Sequence, residues 1–387
     1  MWYLNASTIL SLLGIAIVLS LLSLWKGRTG RFARQSVLLL FSVAFIAVYS
    51  AKLAVFSVLY VSANYAFYRL ILGSSQALRK PIFVLSIIAN IAALFALRLF
   101  ADGTFQNAWF APVILLGLVY TLLKVINTFF HAYYVAEKPA PRLDEYASYL
   151  LFIPTFTSGP IMRFHEFLRD LRANKPVTAE TIESSIKRII RGLFKKLVIV
   201  SLMMDAYQKL VEGDMNALDS GCALLVFYVL LYFDFSGYSD IAIGFGRLMG
   251  IDVPENFKKP FSSPTLTQFW RNWHATLGDW FREHVFQMFA SKSQSRLFSA
   301  FMALFVMVLV GLWHGIGILF ILWGLYHGVL LALENVLRQT TVNKRKTPKL
   351  EYWTRCVIVN LFVAFGTIFF SSTPEMAEKI VKGFLHW

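Results

Sequence analysis

The sequence predicts an all-α polytopic membrane protein with roughly nine to twelve membrane-embedded helices. Three observations predict it. Of the 387 residues, 57% are hydrophobic and only 15% charged, against about 25% charged in ordinary soluble domains. The apolar residues come in long runs without Lys, Arg, Asp or Glu: Leu4–Trp25, Ser36–Tyr49, Pro81–Leu97, Ala108–Leu123, Cys222–Phe233 and Phe301–Leu333. A hydrocarbon core needs about 20 residues of helix, which some runs supply alone and others with their flanks. Third, the basic residues collect beside these runs.

Taken in chain order, the first run has no basic segment before it, and Trp25-Lys26-Gly27-Arg28 is a poor cleavage site. It is expected to be the first membrane helix, not a leader. After it come Lys26, Arg28, Arg31 and Arg34; later clusters are Lys187, Arg188, Arg191, Lys195, Lys196 and Lys344, Arg345, Lys346, Lys349. A net charge of +15 could suggest nucleic acid. Its placement instead follows the positive-inside pattern of a multi-pass cell-membrane protein and argues against a nucleic-acid partner. The loop after the first helix is then cytoplasmic, with the N-terminus outside.

Three later segments depart from simple spanning helices. Ile153–Ile161 holds two prolines, a glycine and three hydroxyl side chains in nine residues. A helix breaks there, and broken backbone at membrane depth lines a cavity or is buried in protein. Tyr232–Asp240 sets two carboxylates and two serines directly after an apolar run, for helix–helix hydrogen bonds or substrate contact. Leu266–Phe289 reads as an interfacial amphipathic helix, with Trp270, His274, Leu277 and Phe281 on one stripe and Arg271, Asp279, Arg282 and Glu283 largely off it. His274 then points inward. No repeat of fixed period and no linker divides the chain, so residues 1–387 read as one integral-membrane domain with no separate soluble part. Cys222 and Cys356 lie in or beside apolar runs without metal-like spacing, as packing residues.

Of the seven histidines, His314 stands out, inside the uncharged stretch Phe301–Leu333. An ionisable group in such a run is a functional hypothesis, and imidazole exchanges protons near neutrality. His327 is buried by context, where an imidazole often bonds a neighbouring helix. His131 reads as a capping or packing residue, His165 and His386 as solvated, His284 as interfacial. There is no H-x-x-x-H, H-E-x-x-H or cysteine partner for a metal, and no Walker motif or G-x-S-x-G elbow. What remains is a histidine base in a membrane cavity, able to deprotonate a hydroxyl for attack on an acyl donor. A transporter is the rival, but it would more often show two related halves with matching interruptions.

Four blocks, in order, resemble the membrane-bound O-acyltransferase (MBOAT) family over nearly the whole chain. They are Phe156–Phe164; Asp234–Asp240 with Pro254–Phe261; Phe269–His274 through Trp280-Phe281-Arg282; and Gly311–Gly315 with Trp323–Gly328. The resemblance implies a ring of helices around a central tunnel, with the acyl donor entering from the cytoplasm. It implies that His314 is the catalytic general base and that His274, the second catalytic position, orients the acyl group or stabilises charge on the donor side. It further implies substrate contacts from Ser158, Asn256, Trp270, Trp273, Trp313, Tyr326 and His327, and donor or carrier docking at Arg271 and Arg282.

No cofactor is expected to stay bound. The donor is expected to be a phosphopantetheine-carrier thioester or acyl-CoA on the cytosolic side. The other expected partners are an envelope polymer or lipid-linked acceptor outside, membrane lipid and an envelope acyl-relay protein. Two bacterial branches fit. The stretch Pro-Leu-Gly-Gly-Asn-Arg of the alginate O-acetyltransferase type is replaced here by Gln287–Lys292. The compact length, the Thr157–Ile161 block and the aromatic Phe384–Trp387 look more like the DltB branch, which serves D-alanylation of teichoic acids. Met162-Arg163-Phe164 departs from the Asp-Arg-Phe usual in that branch.

Overall fold

The computed structural model describes residues 5–25, 27–101, 118–289, 295–370 and 373–385. Lys26, residues 108–117 of the fourth apolar run, Ala290–Lys292 and His386–Trp387 lie outside the described residues. Regular structure among the described residues is entirely helical. Eight helices there are long and apolar enough to cross a bilayer: Ala6–Ser23, Arg28–Tyr49, Ala51–Gly73, Gln76–Arg98, Ala217–Leu248, Arg296–His314, Ile318–Val336 and Lys349–Phe370. Only 22–39% of the best window of each is buried within the protein. The remaining apolar faces are the ones lipid covers, because a helix satisfies its own backbone and can present bare hydrocarbon to the bilayer.

Local chemistry starts these helices where the sequence provides a cap. Asn5 accepts from Thr8 N–H, Ser50 from Leu53 N–H and Ser295 from Phe298 N–H. Each satisfies one of the donors that a helix start leaves unpaired.

The chain divides into two compact units, residues 1–190 with 240–254 and residues 191–239 with 255–387. In the first, Arg34 is buried and donates to the Met249 carbonyl (2.6 Å) and to Asn174 Oδ1 (3.0 Å). It thereby meets an orphan carbonyl at the end of the Ala217–Leu248 helix, where a cation is also favoured by the helix dipole. Asn90 joins helices Ala51–Gly73 and Gln76–Ala101, giving a hydrogen bond to Asn64 (2.8 Å) and taking one from Tyr60 (2.6 Å). His131 is buried on Tyr68, 3.2 Å from its hydroxyl, in the packing role expected of it.

The segment Ile153–Ile161 is broken as its prolines require. A single 3₁₀ turn, Ile153–Thr155, leads into irregular backbone. Gly159 permits the fold-back, since a Cβ there would lie 2.6 Å from Thr155 Cα. The buried Lys124 holds the turn by donating to Thr155 Oγ1 (3.0 Å) and the Tyr149 carbonyl (3.3 Å).

Two expectations are corrected. Tyr232–Asp240 does not depart from a spanning helix; it lies inside the continuous Ala217–Leu248. Its carboxylates are tolerated because each meets a cation. Asp234 pairs with Lys196 (2.5 Å) in the second unit, and Asp240 with Arg188 (2.9 Å) in the first. Leu266–Phe289 is not one helix. It is Leu266–Asn272, a break at Trp273-His274, Ala275–Phe281, a π turn Arg282–Phe286 and a last turn Gln287–Phe289. The break is made by the loop before it, where the Asn256 carbonyl takes Ala275 N–H (2.9 Å) and the Asn272 carbonyl takes Lys258 N–H (2.9 Å).

In the second unit, Arg296–His314 and Ile318–Val336 form a tight hairpin, and glycines set its closeness. A Cβ at Gly324 would lie 2.6 Å from the Met307 carbonyl oxygen, and one at Gly328 2.7 Å from Leu304 Cδ1. Gly311 likewise faces the Phe320 carbonyl. Small residues let membrane helices approach backbone to backbone. At the far end of the hairpin, Glu334 accepts from Leu266 N–H (2.6 Å), Thr267 N–H (2.8 Å) and Thr267 Oγ1 (2.9 Å), capping the Leu266–Asn272 helix.

Candidate functional site

The site is built on the tip of that hairpin. His314 is the last residue of Arg296–His314, followed by the turn Gly315-Ile316-Gly317. A side chain at Gly315 would run into the Phe320 ring. His314 is half-buried among aromatic rings, with centroids 5.0 Å from Phe370, 5.5 Å from Trp323 and 6.2 Å from Phe320. The rings cover part of the imidazole and leave the rest accessible. Electrostatic effects are stronger against such apolar rings than in water.

His274 sits in the break between the two short helices, with left-handed backbone (φ 47°). That conformation is uncommon for a residue with a side chain and marks a position held by its surroundings. The surroundings are Asn256, fully buried, and Thr276. Asn256 Oδ1 lies 3.0 Å from His274 Nδ1, 2.8 Å from Thr276 Oγ1 and 3.3 Å from Thr276 N. Asn256 Nδ2 reaches Ser239 Oγ at 3.4 Å. The Phe235 ring covers the imidazole edge-on at 4.6 Å, and Trp313 lies 6.2 Å away. His274 is buried, as the stripe predicts, although the helix carrying that stripe is broken. Burial first, and the neighbouring His314 second, hold its pKa well below the ordinary imidazole value, so the ring stays neutral.

The other expected residues divide into two groups. Trp270 packs edge-on against Trp323 (5.4 Å) and His327 (4.9 Å), and Trp273 stacks on Phe269 (5.5 Å) and Tyr228 (5.7 Å). Together with Trp313, these rings join His274 and His314 to one aromatic cluster. His327 is buried under Trp270 and Trp323, and neither of its ring nitrogens has a hydrogen-bond partner; the Trp270 Nε1 is also buried without one. Tyr326 lies edge-on to His327 (4.9 Å), packs on Phe365 and Phe369 and donates to the Phe362 carbonyl (2.9 Å), which is a helix–helix bond. Ser158 belongs to the first unit, half-buried at the end of the broken segment.

Arg271 and Arg282 are both exposed, and Arg282 pairs with Asp279 (2.8 Å). His284 is corrected: it is buried, stacked on Trp280 at 4.6 Å, with Nδ1 2.9 Å from the Trp280 carbonyl. Sequence reasoning missed Phe235, Thr276 and Phe370. Phe235 and Thr276 stand beside residues already singled out, whereas nothing in the sequence marks Phe370.

The geometry offers two imidazoles, one half-buried and one buried and neutral, within a wall of aromatic rings. An imidazole in such a place can take a proton from a hydroxyl. Among the described residues no three His, Cys, Asp or Glu side chains gather where they could hold a metal.

Comparison with known proteins identifies a family and several relatives. The family model described as the membrane-bound O-acyltransferase family matches residues 2–373. A probable alginate O-acetylase of Pseudomonas fluorescens is 33% identical over 239 residues, 61% of this chain and 47% of that protein. A teichoic acid D-alanyltransferase of Bacillus subtilis is 30% identical over 310 residues, 76% of this chain and 78% of that protein. A peptidoglycan O-acetyltransferase of Helicobacter pylori is 30% identical over 247 residues, 62% of this chain and 46% of that protein. The match thus spans about half the length of the alginate and peptidoglycan relatives.

Proposed function

The chain belongs to the membrane-bound O-acyltransferase family, and from that premise we propose that it passes a small acyl group, D-alanyl first, from a cytosolic thioester to a hydroxyl of a cell-envelope polymer or its lipid-linked precursor. The observation that carries the reading is the half-buried His314 on a glycine-packed hairpin tip, with the neutral His274 beside it. His314 takes the hydroxyl proton as the oxygen attacks the thioester carbonyl carbon. The C–O bond forms, the C–S bond breaks, and the thiolate leaves and recovers the proton from His314. The aromatic wall keeps water from competing as nucleophile.

D-alanyl is preferred because the similarity to the Bacillus subtilis teichoic acid relative covers 78% of that protein, whereas it covers 47% of the Pseudomonas fluorescens alginate relative. Acetyl transfer to a polysaccharide or peptidoglycan is the second reading, favoured by the relatives of that description. The donor is a phosphopantetheine-carrier thioester or acyl-CoA, docking from the cytoplasm at Arg271 and Arg282.

The test uses the full chain in lipid vesicles, D-alanyl- and acetyl-loaded phosphopantetheine thioesters, and a polyol phosphate acceptor. Ester formation should depend on His314, with His314→Ala lowering turnover by about 10²- to 10⁴-fold and the fold intact by thermal shift. Unchanged turnover in that variant would overturn the role of His314. Ester formed from the acetyl donor alone would select the second reading.

A further inference from the structure

We infer that Asn256 is a positioning residue that fixes the tautomer of His274: it takes the Nδ1 proton as a hydrogen bond, so that Nε2 carries the lone pair and His274 meets the substrate as an acceptor. This rests on the proposed acyl transfer for its purpose, but not for its geometry.

The argument starts from Thr276. A backbone N–H can only donate, and that of Thr276 points at Asn256 Oδ1 from 3.3 Å, with the Thr276 hydroxyl at 2.8 Å. The amide therefore presents its oxygen on this side, since a flipped amide would set N–H against N–H. The opposite face of the amide agrees, with Nδ2 toward Ser239 Oγ. The same oxygen is 3.0 Å from His274 Nδ1. An amide oxygen has no hydrogen to give, so Nδ1 must carry one, because two lone pairs at that distance would repel. A neutral imidazole holds a single ring proton. Burial under Phe235 and the nearby His314 disfavour a second proton. The lone pair is then on Nε2.

Asn256 is itself rigidly held. It is fully buried, and its backbone carbonyl takes Ala275 N–H at 2.9 Å. That bond and the left-handed turn at His274 belong to one unit of structure, so the residue that orders the backbone break also orders the ring.

The consequence reverses one expectation. The resemblance leaves His274 free to stabilise charge at the donor side, which requires an N–H aimed at the developing oxyanion. With this tautomer, Nε2 offers no hydrogen to a carbonyl oxygen. It accepts instead from a substrate O–H or N–H, such as a hydroxyl of the acceptor or the ammonium of an aminoacyl group. His274 orients substrate, and His314 remains the proton acceptor.

The experiment has one arm that needs no substrate. Full-length protein labelled with ¹⁵N-histidine in lipid is examined by NMR near neutral pH, and the His274 resonances are identified by their loss in His274→Gln. The expected result is a protonated Nδ1 and an unprotonated Nε2. A protonated Nε2 in the unaltered protein overturns the inference, whatever the enzyme transfers.

The second arm reads activity against pH. Asn256→Asp keeps an acceptor at Nδ1 and adds a negative charge, which should raise the pKa of His274 and move the acid limb of the rate profile up by about 1–3 units. His314 is the titratable neighbour that faces the ring, so the same profile is recorded in His274→Gln, where the shift should vanish. Asn256→Leu should lose the single tautomer. If that variant does not fold, the unaltered protein and Asn256→Asp still decide the question. An acid limb that stays in place in folded Asn256→Asp refutes the positioning role. Absence of any ester formation by the unaltered protein would refute the proposed function and leave the tautomer result standing.

Discussion

At the scale of single residues, His314 could be found because its chemistry contradicts its surroundings: it is an ionisable ring in 33 residues with no formal charge, Phe301 to Leu333. His274 could be picked out as an inward residue but not as a strained one. Its φ of 47° arises from hydrogen bonds to Asn256 and the loop that follows it, 18 positions earlier in the chain, which no helical periodicity reveals. His327 was legible as buried, whereas the lack of a partner for both its nitrogens is a property of packing alone. The two arginines are distinguishable by their neighbours. Arg282 already shares its charge with Asp279, and Arg271 is exposed beside the hairpin. Charge reversal at Arg271 is therefore expected to raise the apparent KM for a thioester donor by roughly two- to fivefold and to flatten its salt dependence. The same change at Arg282 should do less. Steady-state kinetics at two salt concentrations measure both, and a fall in kcat with KM unchanged would show that neither residue docks the donor.

At the scale of elements, the hairpin Arg296–His314 and Ile318–Val336 depends on glycine. Gly324→Val would place a branched side chain where even a Cβ lies 2.6 Å from the Met307 carbonyl oxygen, so the helices would have to part. The expected cost is about 1–3 kcal/mol, seen as a lower thermal midpoint, with turnover falling further because His314 rides on the tip. A variant that keeps its midpoint but loses turnover would mean that the glycine serves the site and not the packing. The apolar runs announced most helices, since composition alone distinguishes lipid-facing residues. Breaks were harder to read. Those at Ile153–Thr155 follow from proline, which removes a backbone donor. The π turns at His131–Val135, Lys195–Ile199 and Arg282–Phe286 have no such marker. They divide helices that composition reads as continuous.

At the scale of the whole molecule, orientation follows from charge. The start of the helix Arg28–Tyr49, with Arg28 and Arg31 exposed, and the loop around Lys344–Lys349 are both basic and are expected on the cytoplasmic side. Single cysteines placed in either should resist an impermeant thiol reagent in intact cells and react once the cells are opened. Labelling of either from outside would reverse the assignment. The basic loop is also joined to the site. Thr265 Oγ1 donates to the Thr340 carbonyl (3.0 Å) and Gln268 exchanges hydrogen bonds with Val342, so the loop is anchored where Glu334 caps the Leu266–Asn272 helix. Trp323, against the His314 ring, and Glu334 lie on one helix, Ile318–Val336. The eleven steps between them advance about 17 Å at 1.5 Å each. That helix is a ruler. It sets the reach that a tethered acyl group needs if its carrier lands on the basic loop. If the donor is such a tethered thioester, one on a shortened stem is expected to bind with unchanged affinity and turn over little, so arm length would act separately from affinity.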